Sequence, residues 1–154
     1  MKILVVSDSH GNFNVLHAIY KKENPDYMIF CGDGTNDIRD LSYAYKELKY
    51  KMVRGNCDFN DYNVNINEEI SFGNYNFLIT HGHYYDVKSS LIDILKEGKR
   101  LKKNVVIFGH THRKYYKEID EINLFNPGSV NNGNYGIIDI KEENIIFELK
   151  FIEI

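Results

Sequence analysis

The clearest pattern along the chain is a series of short, mostly apolar runs, each followed by polar residues. Several of these runs show no alternation between apolar and polar positions, which is typical of strands buried on both faces. The pattern predicts five such strands, at Lys2–Ser7, Tyr27–Cys31, Lys51–Val53, Tyr75–Thr80 and Val105–Phe108.

Two helical patterns separate the first three of these runs. Apolar residues recur at helical spacing from Asn12 to Lys22 and again from Ile38 to Leu48. Because β–α–β crossovers are almost always right-handed, the three strands that these helices connect should run parallel. The first half of the chain therefore predicts an α/β arrangement.

The second half predicts a hairpin, one further helix and then strands alone. Gly73-Asn74 lies between two strand-like segments and indicates a two-residue turn. Ser90 and Asp93 resemble a capping box that opens a helix toward Leu101, with Asp93 in place of the usual Glu or Gln. After Gly109 the pattern predicts strands at Tyr115–Ile119, Ile122–Asn126, Tyr135–Ile140 and Ile145–Ile154.

Side chains that can bind metal ions follow the predicted strands directly. In open α/β sheets the crevice beyond the carboxyl ends of the strands is the usual binding place, so distant fragments should meet there. Carboxylate, amide and imidazole groups together suit Mn, Fe, Zn or Ni, whereas Mg and Ca prefer oxygen ligands alone. Two such ions can clamp the attacking and leaving oxygens of a phosphate ester. The ligand candidates are Asp8, His10, Asp33, Asn56, His81, His110 and His112.

Composition fits a globular protein. A chain of 154 residues with 43% hydrophobic and 14% aromatic residues can bury a substantial core, and we expect one domain over residues 1–154. The formal net charge of −3 argues against a broad basic face, so no stable nucleic-acid complex is expected. No segment reads as a signal peptide or a membrane span, and the cytoplasm is the expected location. Cys31 and Cys57 are expected to be free thiols.

Five motifs in a fixed order resemble those of a known family. They are Asp8-Ser-His10, Gly32-Asp33, Gly55-Asn56-Cys57-Asp58, the lone His81, and Gly109-His110-Thr-His112. Over nearly its whole length the chain resembles the calcineurin-like metallophosphoesterases, in particular their small bacterial and archaeal phosphodiesterases. The resemblance implies an α/β (α+β) fold in which two mixed β-sheets pack as a sandwich flanked by helices.

The resemblance also implies roles for the ligand candidates. One divalent ion would bind Asp8, His10 and His112, and a second would bind Asn56, His81 and His110, with Asp33 bridging the two. Manganese is the first expectation, with iron, zinc and nickel as alternatives. The ions should convert a bridging water into the attacking hydroxide, with Asp33, Asn56 and His81 as the catalytic residues. The implied substrate is a phosphate ester of a small molecule or nucleotide, with a phosphodiester preferred.

Several neighbours of the motifs are secondary candidates. Four residues could contact the substrate or support a metal ligand: His83, Cys57, Asp58 and Asn12. For Asn12, the preferred role is the cap of the first helix. Stacking on a base or aryl group and ordinary loop packing explain Tyr62, Tyr84 and Tyr85 equally well. His17 is expected to be a surface or packing residue, and residues 126–129 are expected to form a structural turn near the site. Tight turns are expected at Gly11, Gly32, Gly55, Gly82 and Gly109.

Cys57 is the one departure from the pattern of the larger family members, which have His at this position. A thiol, with a reference pKa of about 8.5, is a poorer proton donor near neutral pH than imidazole. A donor of this kind is needed least when the leaving group is stable as an anion. The substitution therefore predicts a preference for substrates with good leaving groups.

Two alternatives and one assembly state accompany this interpretation. The fold also resembles a retromer subunit that serves as a protein-interaction scaffold, so a non-catalytic scaffold is the alternative from another class. A nuclease or a cyclic-nucleotide phosphodiesterase would share the chemistry and differ in substrate. Small members of the family commonly pair, and twelve Tyr and nine Phe residues favour an exposed apolar patch, so a homodimer is expected. No membrane partner is expected.

Overall fold

The computed structural model describes residues 1–154, which form ten β-strands and three α-helices. The strands are β1 (Lys2–Val6), β2 (Tyr27–Phe30), β3 (Tyr50–Met52), β4 (Asn67–Phe72), β5 (Tyr75–Thr80), β6 (Val105–Ile107), β7 (Lys114–Ile119), β8 (Ile122–Pro127), β9 (Asn134–Lys141) and β10 (Asn144–Phe151). The helices are α1 (Phe13–Glu23), α2 (Thr35–Ala44) and α3 (Ile92–Arg100), and 3₁₀ turns span His83–Tyr85 and Val130–Asn132.

The strands form two mixed five-stranded sheets. The first has the order β10-β9-β1-β2-β3, in which β1, β2 and β3 are parallel and β9 and β10 are antiparallel. The second has the order β4-β5-β6-β8-β7, in which β5, β6 and β8 are parallel and both edge strands are antiparallel. The α+β fold with two mixed sheets, implied by the family resemblance, is confirmed.

The apolar strand residues build a core of three layers. Alternate residues of β1 point to opposite faces, so Leu4 and Val6 pack beneath α1 and α2 while Ile3 and Val5 face the second sheet. On the far side of the second sheet, Leu78 and Val106 pack against α3. Both sheets are thus buried on two faces in their central strands, which explains the runs without polar alternation.

Most predicted elements form within one or two residues of their expected bounds, including the hairpin at Gly73-Asn74 and the strands after Gly109. The final strand ends at Phe151 and not at Ile154. The predicted capping box is wrong, because Leu91 is the N-cap residue and no side chain caps the helix. The Ser90 hydroxyl instead accepts the N–H of Ile92 at 3.1 Å.

The bounds predicted for the second helix are also wrong. The pattern placed it at Ile38–Leu48, whereas α2 spans Thr35–Ala44. It begins early because the Asp58 carboxylate, from a distant loop, accepts the N–H groups of Gly34 and Thr35. It ends early because Tyr45 is extended, yet Tyr45 still packs against the core beneath α1. None of the three helices is long and apolar enough to cross a membrane.

Candidate metal centre

The ligand candidates lie in five loops that meet where the two sheets end. Asp8 follows β1, Asp33 follows β2 and Asn56 lies in the loop after β3, all from the first sheet. His81 directly follows β5, and the loop after β6 carries His110 and His112. The expected convergence of distant fragments therefore takes place, and it joins both sheets.

One group of ligand atoms consists of Asp8 Oδ1, His10 Nε2 and His112 Nε2. The carboxylate oxygen lies 3.1 Å from His112 Nε2 and 3.6 Å from His10 Nε2, and the two imidazole nitrogens are 3.3 Å apart. Asp8 is fully buried, and its Oδ1 has no hydrogen-bond partner. A buried carboxylate oxygen without a partner is costly, so this position favours a bound cation.

A second group surrounds His81 Nε2. Asn56 Oδ1 lies 3.0 Å from that nitrogen, His110 Nδ1 lies 3.2 Å away, and Asp33 Oδ2 lies 3.3 Å away. The same Asp33 oxygen is 3.8 Å from His10 Nε2 in the first group. Asp33 therefore lies between the two groups, as a bridging ligand requires.

A backbone hydrogen bond on the side away from the ligand atoms fixes the orientation of the His81 ring. Its Nδ1 lies 2.6 Å from the backbone carbonyl of Cys31, which can only accept a hydrogen bond. The proton of the neutral ring must then sit on Nδ1, which leaves the Nε2 lone pair directed into the site. Burial lowers the pKa of His81, but the nearby carboxylates of Asp33 and Asp8 outweigh this effect and raise it overall.

The two carboxylates are held by backbone and hydroxyl donors. Asp8 Oδ2 accepts from the Ser7 hydroxyl and from the His110 N–H, while Asp33 Oδ1 accepts the Cys57 N–H at 2.7 Å. Burial alone would raise the pKa of Asp33, but the contacts with His81 and the Cys57 N–H bring it well below its usual range. Each side chain thus has one oxygen held by N–H or hydroxyl donors and the other facing imidazole nitrogens.

The remaining histidines differ in their proton affinity. Burial, followed by the charges of His81 and Lys88, lowers the pKa of His110 to about 4. The Asp8 carboxylate raises the pKa of His112 against the effect of burial. A neutral imidazole is the form that binds a metal ion, so His110 is already in that form at neutral pH.

The backbone at the site is conformationally strained. Asp8, His10, Asp33, His110 and His112 all have positive φ angles, between 46° and 68°. Such conformations cost roughly 1–3 kcal/mol each and persist only where the surroundings enforce them. Five of the seven ligand candidates thus adopt a conformation that is rare for residues with side chains.

The glycines play two different roles here. Gly11, Gly32 and Gly82 have positive φ angles, which confirms the expected tight turns at these positions. Gly55 and Gly109 do not have positive φ angles, yet tight turns begin at both, because the Gly55 carbonyl accepts the Asp58 N–H at 3.3 Å and the Gly109 carbonyl accepts the Thr111 N–H at 2.8 Å. They are also required for close approach, because a Cβ at Gly55 would overlap the Asp33 carboxylate and one at Gly109 would overlap the Ser7 hydroxyl.

Asp58 supports the ligand loops. Its two carboxylate oxygens accept the N–H groups of Asp33, Gly34 and Gly55 at 2.8 Å and that of Thr35 at 3.1 Å. The side chain thereby ties the loop after β2 to the loop after β3. Asp58 thus supports the loops that carry the ligand candidates Asp33 and Asn56, and both of its carboxylate oxygens are occupied by N–H donors.

The turn at residues 126–129 also lies behind the site. The Ser129 hydroxyl donates to the Asp8 carbonyl at 2.8 Å, and Asn126 Nδ2 donates to the Gly109 carbonyl and the Thr111 hydroxyl, each at 3.0 Å. The expected structural role of this turn is confirmed. Sequence reasoning missed the buried hydroxyls of Ser7 and Ser129, because a serine next to a ligand gives no distinct pattern.

Two further candidates take part in packing. Asn12 is the N-cap of α1 and accepts the Val15 N–H, so the preferred cap role is confirmed. His17 packs at 5.6 Å on the Phe13 ring and contacts the Tyr45 hydroxyl at 2.7 Å, as expected of a packing residue.

His83 and Cys57 lie close to the ligand atoms. The His83 ring is 5.3 Å from that of His81, and its buried Nδ1 has no hydrogen-bond partner. Burial and the charge of His81 lower its pKa, so the ring is neutral. Cys57 is an exposed free thiol whose Sγ lies within 4.8 Å of ligand atoms of His10 and Asp33.

The three tyrosines separate into two kinds. Tyr85 packs in its loop, where its hydroxyl accepts from Asn67 Nδ2 at 2.8 Å. Tyr62 and Tyr84 are 77% and 69% exposed and line a cavity of about 340 Å³ together with Asn56 and His83. Tyr85 is thus a packing residue. The Tyr62 ring contacts the Arg54 guanidinium at 5.1 Å and the Tyr84 ring contacts the His83 ring at 4.5 Å, and both tyrosine rings remain accessible for stacking.

The donor set fits transition-metal ions. Each group combines imidazole nitrogens with carboxylate or amide oxygens, which suits Mn, Fe, Zn or Ni better than Mg or Ca. The unpartnered Asp8 oxygen, the fixed lone pair of His81 and the shared Asp33 oxygen are all directed toward the same small volume. The residues present can therefore hold divalent ions.

Comparisons with known proteins agree with this chemistry. The calcineurin-like phosphoesterase superfamily domain matches residues 1–143. The probable metallophosphoesterase YsnB of Bacillus subtilis is 32% identical over 133 residues, covering 84% of this chain and 75% of that protein. The phosphodiesterase MJ0936 of Methanocaldococcus jannaschii is 30% identical over 149 residues, covering 83% of each. Among solved structures, a predicted phosphoesterase from Streptococcus pneumoniae shares the fold, with a TM-score of 0.81, 21% identity and coverage of 97% of this chain and 88% of that one. Sequence and fold together show that this chain belongs to the calcineurin-like phosphoesterase superfamily.

Proposed function

We propose that this protein is a metal-dependent phosphodiesterase that uses two divalent ions to hydrolyse a phosphate ester of a small molecule or nucleotide. The observation that carries the proposal is the position of Asp33 Oδ2, 3.3 Å from His81 Nε2 and 3.8 Å from His10 Nε2. One oxygen between two ligand groups is what a pair of ions requires. The named relatives, a probable metallophosphoesterase and a phosphodiesterase, support the reaction class.

The residues divide into two ligand sets and one bridge. The first ion would be held by Asp8, His10 and His112, and the second by Asn56, His81 and His110, with Asp33 shared. When bound, the ions would supply Lewis-acid chemistry, polarising phosphoryl oxygens and lowering the pKa of water. Manganese is the first choice, with iron, zinc and nickel as alternatives.

The chain itself supplies orientation and charge balance. The buried carboxylates of Asp8 and Asp33 offset part of the positive charge, while neutral imidazoles add affinity without repelling an anionic phosphate. Asn56 is exposed and lines the cavity of about 340 Å³ that Tyr62 and Tyr84 also line, where its amide would position the phosphoryl group. The neutral His83 ring, 5.3 Å from that of His81, would support this ligand candidate or face the substrate through its exposed edge.

The test is turnover of bis-p-nitrophenyl phosphate by metal-stripped protein before and after addition of Mn. Activity should appear only with metal, and Asp33→Asn should reduce it more than Asn56→Ala, because Asp33 serves both ions and Asn56 contributes one neutral oxygen to one. Asp40→Asn and Asn14→Ala, exposed residues of α2 and α1, are matched controls that should behave as wild type. Full activity of the stripped protein would contradict the proposal.

Two other outcomes would favour the alternatives. Absence of bound metal on elemental analysis, together with no turnover of diesters or monoesters with any divalent ion, would indicate a protein-interaction scaffold. Selective turnover of polynucleotides or cyclic nucleotides in a substrate panel would identify a nuclease or cyclic-nucleotide phosphodiesterase with the same chemistry.

A further inference from the structure

A cavity of about 520 Å³ lies beside the chain segment that carries His110 and His112, since Phe108, Thr111 and Arg113 of that segment line it. Its floor is apolar, formed by the buried Phe108 and Val87 together with Leu91 and Tyr115. Its remaining lining is Lys88, Thr111, Arg113 and Lys114, and no acidic residue is among them. We call this space the basic cavity. Its volume lies in the usual range for small-molecule sites, about 300–1,000 Å³.

The three cationic side chains of the basic cavity have no partners within the protein. Some basic residues nearby pair with acids, as Lys99 of α3 does with Asp120 and Lys103, in the loop after α3, does with Glu69. Lys88, Arg113 and Lys114 form neither an ion pair nor a side-chain hydrogen bond. In a chain of net charge −3, three unpaired cations around one cavity form a local site for an anion.

The chain after β6 serves both the metal centre and the basic cavity. His110 and His112 belong to the ligand groups, while Phe108, Thr111 and Arg113 line the cavity. The turn is rigid, since the Thr111 hydroxyl accepts from Asn126 Nδ2 at 3.0 Å and from the Arg113 N–H at 3.2 Å. One short segment of the chain, residues 108–113, therefore carries two ligand candidates and forms part of the wall of the basic cavity.

We propose that the basic cavity binds a second phosphate on the substrate, so that the substrate is a phosphodiester in which one alcohol carries a further phosphate group. A guanidinium and two ammonium groups suit a phosphate dianion. The apolar floor suits the body of the alcohol, such as a nucleoside. This inference rests on the proposed function and names the class of substrate for the same site.

The test uses two substrates that differ only in the second phosphate: thymidine 5′-(p-nitrophenyl phosphate) with and without a 3′-phosphate. The wild-type enzyme should show a KM about tenfold lower for the phosphorylated form, with an advantage that shrinks as salt rises. The triple variant Lys88→Ala, Arg113→Ala, Lys114→Ala should lose this preference, while kcat/KM for bis-p-nitrophenyl phosphate stays within about threefold.

The control variant Lys21→Ala, Lys22→Ala, Lys49→Ala removes the same charge from exposed positions elsewhere and should keep the preference. A preference that survives in the cavity variant, or is lost equally in the control, would overturn the inference. Binding gives an independent readout: thymidine 3′,5′-bisphosphate should shift amide resonances at residues 87–91 and 111–115 in the ¹⁵N-labelled, zinc-loaded protein. Such shifts without turnover of any diester would refute the proposed function and retain the cavity, whereas no shifts at millimolar ligand would refute the cavity.

Discussion

The side chain of Cys57 occupies a position where a proton donor or a metal ligand could act. Its backbone N–H fixes Asp33 at 2.7 Å, and its exposed Sγ lies near His10 and Asp33. Partial burial and the charge of Asp33 raise the pKa of the thiol, which keeps it protonated at neutral pH. Replacing Cys57 with serine keeps the hydrogen bond from the backbone N–H to Asp33. The effect of the replacement on activity therefore reports on the thiol alone.

We predict that Cys57→Ser leaves hydrolysis of an activated aryl diester within about tenfold of wild type, because a stable leaving group needs little proton donation. Cys57→His should selectively accelerate poor leaving groups, by at most about 10², since the new ring lacks oriented neighbours. The measurement is kcat/KM across diesters of graded leaving-group pKa, with metal content checked for each variant. Abolished activity of Cys57→Ser at full metal content would show that the thiol has a direct catalytic role.

Among individual residues, the sequence predicted the cluster of ligand candidates but not the groups that support it. Polar residues after strands, in a fixed order of motifs, were enough to predict Asp8, Asp33 and His110 as neighbours. The role of Asp58 was left open, because its contacts with Asp33 and Gly55 depend on how two loops fold together. The positive φ angles of the ligand candidates could not be predicted from the sequence either, since the surrounding structure imposes them.

Among the elements, α2 depends most on a contact from outside itself. Its N-terminal N–H groups have no capping side chain within the helix, and Asp58 accepts two of them from a position 23 and 24 residues away in sequence. Periodicity alone predicted a start at Ile38, because it records only the apolar face. A carboxylate at a helix N-terminus also gains from the helix dipole.

We predict that Asp58→Asn destabilises the metal-free protein by about 2–3 kcal/mol, because an amide NH₂ would face N–H donors that now meet a carboxylate oxygen. Metal affinity should fall as well, since Asp33 loses a backbone restraint. Urea unfolding and a metal titration measure the two effects. Asp40→Asn, exposed and without a partner in the same helix, is the control and should change stability by less than about 0.5 kcal/mol. Equal stability of the two variants would contradict this account.

For the molecule as a whole, the sequence predicted the strands and the parallel crossovers. That two sheets pack face to face was predicted only from the family resemblance. Periodicity indicates which residues are buried and not which sheet they face. Ile3 and Val5 meet the second sheet while Leu4 and Val6 meet helices, yet all four are simply apolar in the sequence. Long-range packing decides such partners.

The high content of aromatic residues, twelve Tyr and nine Phe, leads to a prediction about the oligomeric state. Among the large apolar side chains that remain exposed are Tyr43, Phe59, Tyr62 and Tyr84. We predict a homodimer, which would show as twice the 18.1 kDa chain mass in light scattering coupled to size exclusion. A monomer mass at every workable concentration would contradict it.

One buried carboxylate outside the metal centre joins a helix to three strands. Glu23, at the end of α1, is only 4% exposed at its side chain and contacts Lys2 of β1 and Lys150 of β10, both at 2.9 Å. The Tyr135 hydroxyl of β9 donates to it at 2.7 Å. Burial raises the pKa of Glu23, but the two lysines and Tyr135 outweigh it and lower the pKa from 4.5 to about 2.

The lowered pKa of Glu23 in the folded protein predicts that this residue makes a pH-dependent contribution to the free energy of unfolding. Because the folded-state pKa of Glu23 lies below the unfolded value, the contribution is complete above the unfolded pKa and is lost as pH falls from about 4.5 toward 2. Its size at neutral pH should be about 3 kcal/mol. Urea unfolding should therefore show Glu23→Gln to be less stable than wild type at pH 7 by roughly 2–3 kcal/mol, with a gap that narrows between pH 5 and pH 2.5. Glu118→Gln, exposed on β7 and without a partner, should follow the wild-type curve throughout. If the gap for Glu23→Gln stays constant with pH, the effect of that variant comes from packing, and the ion pairs of Glu23 do not hold α1 to the first sheet.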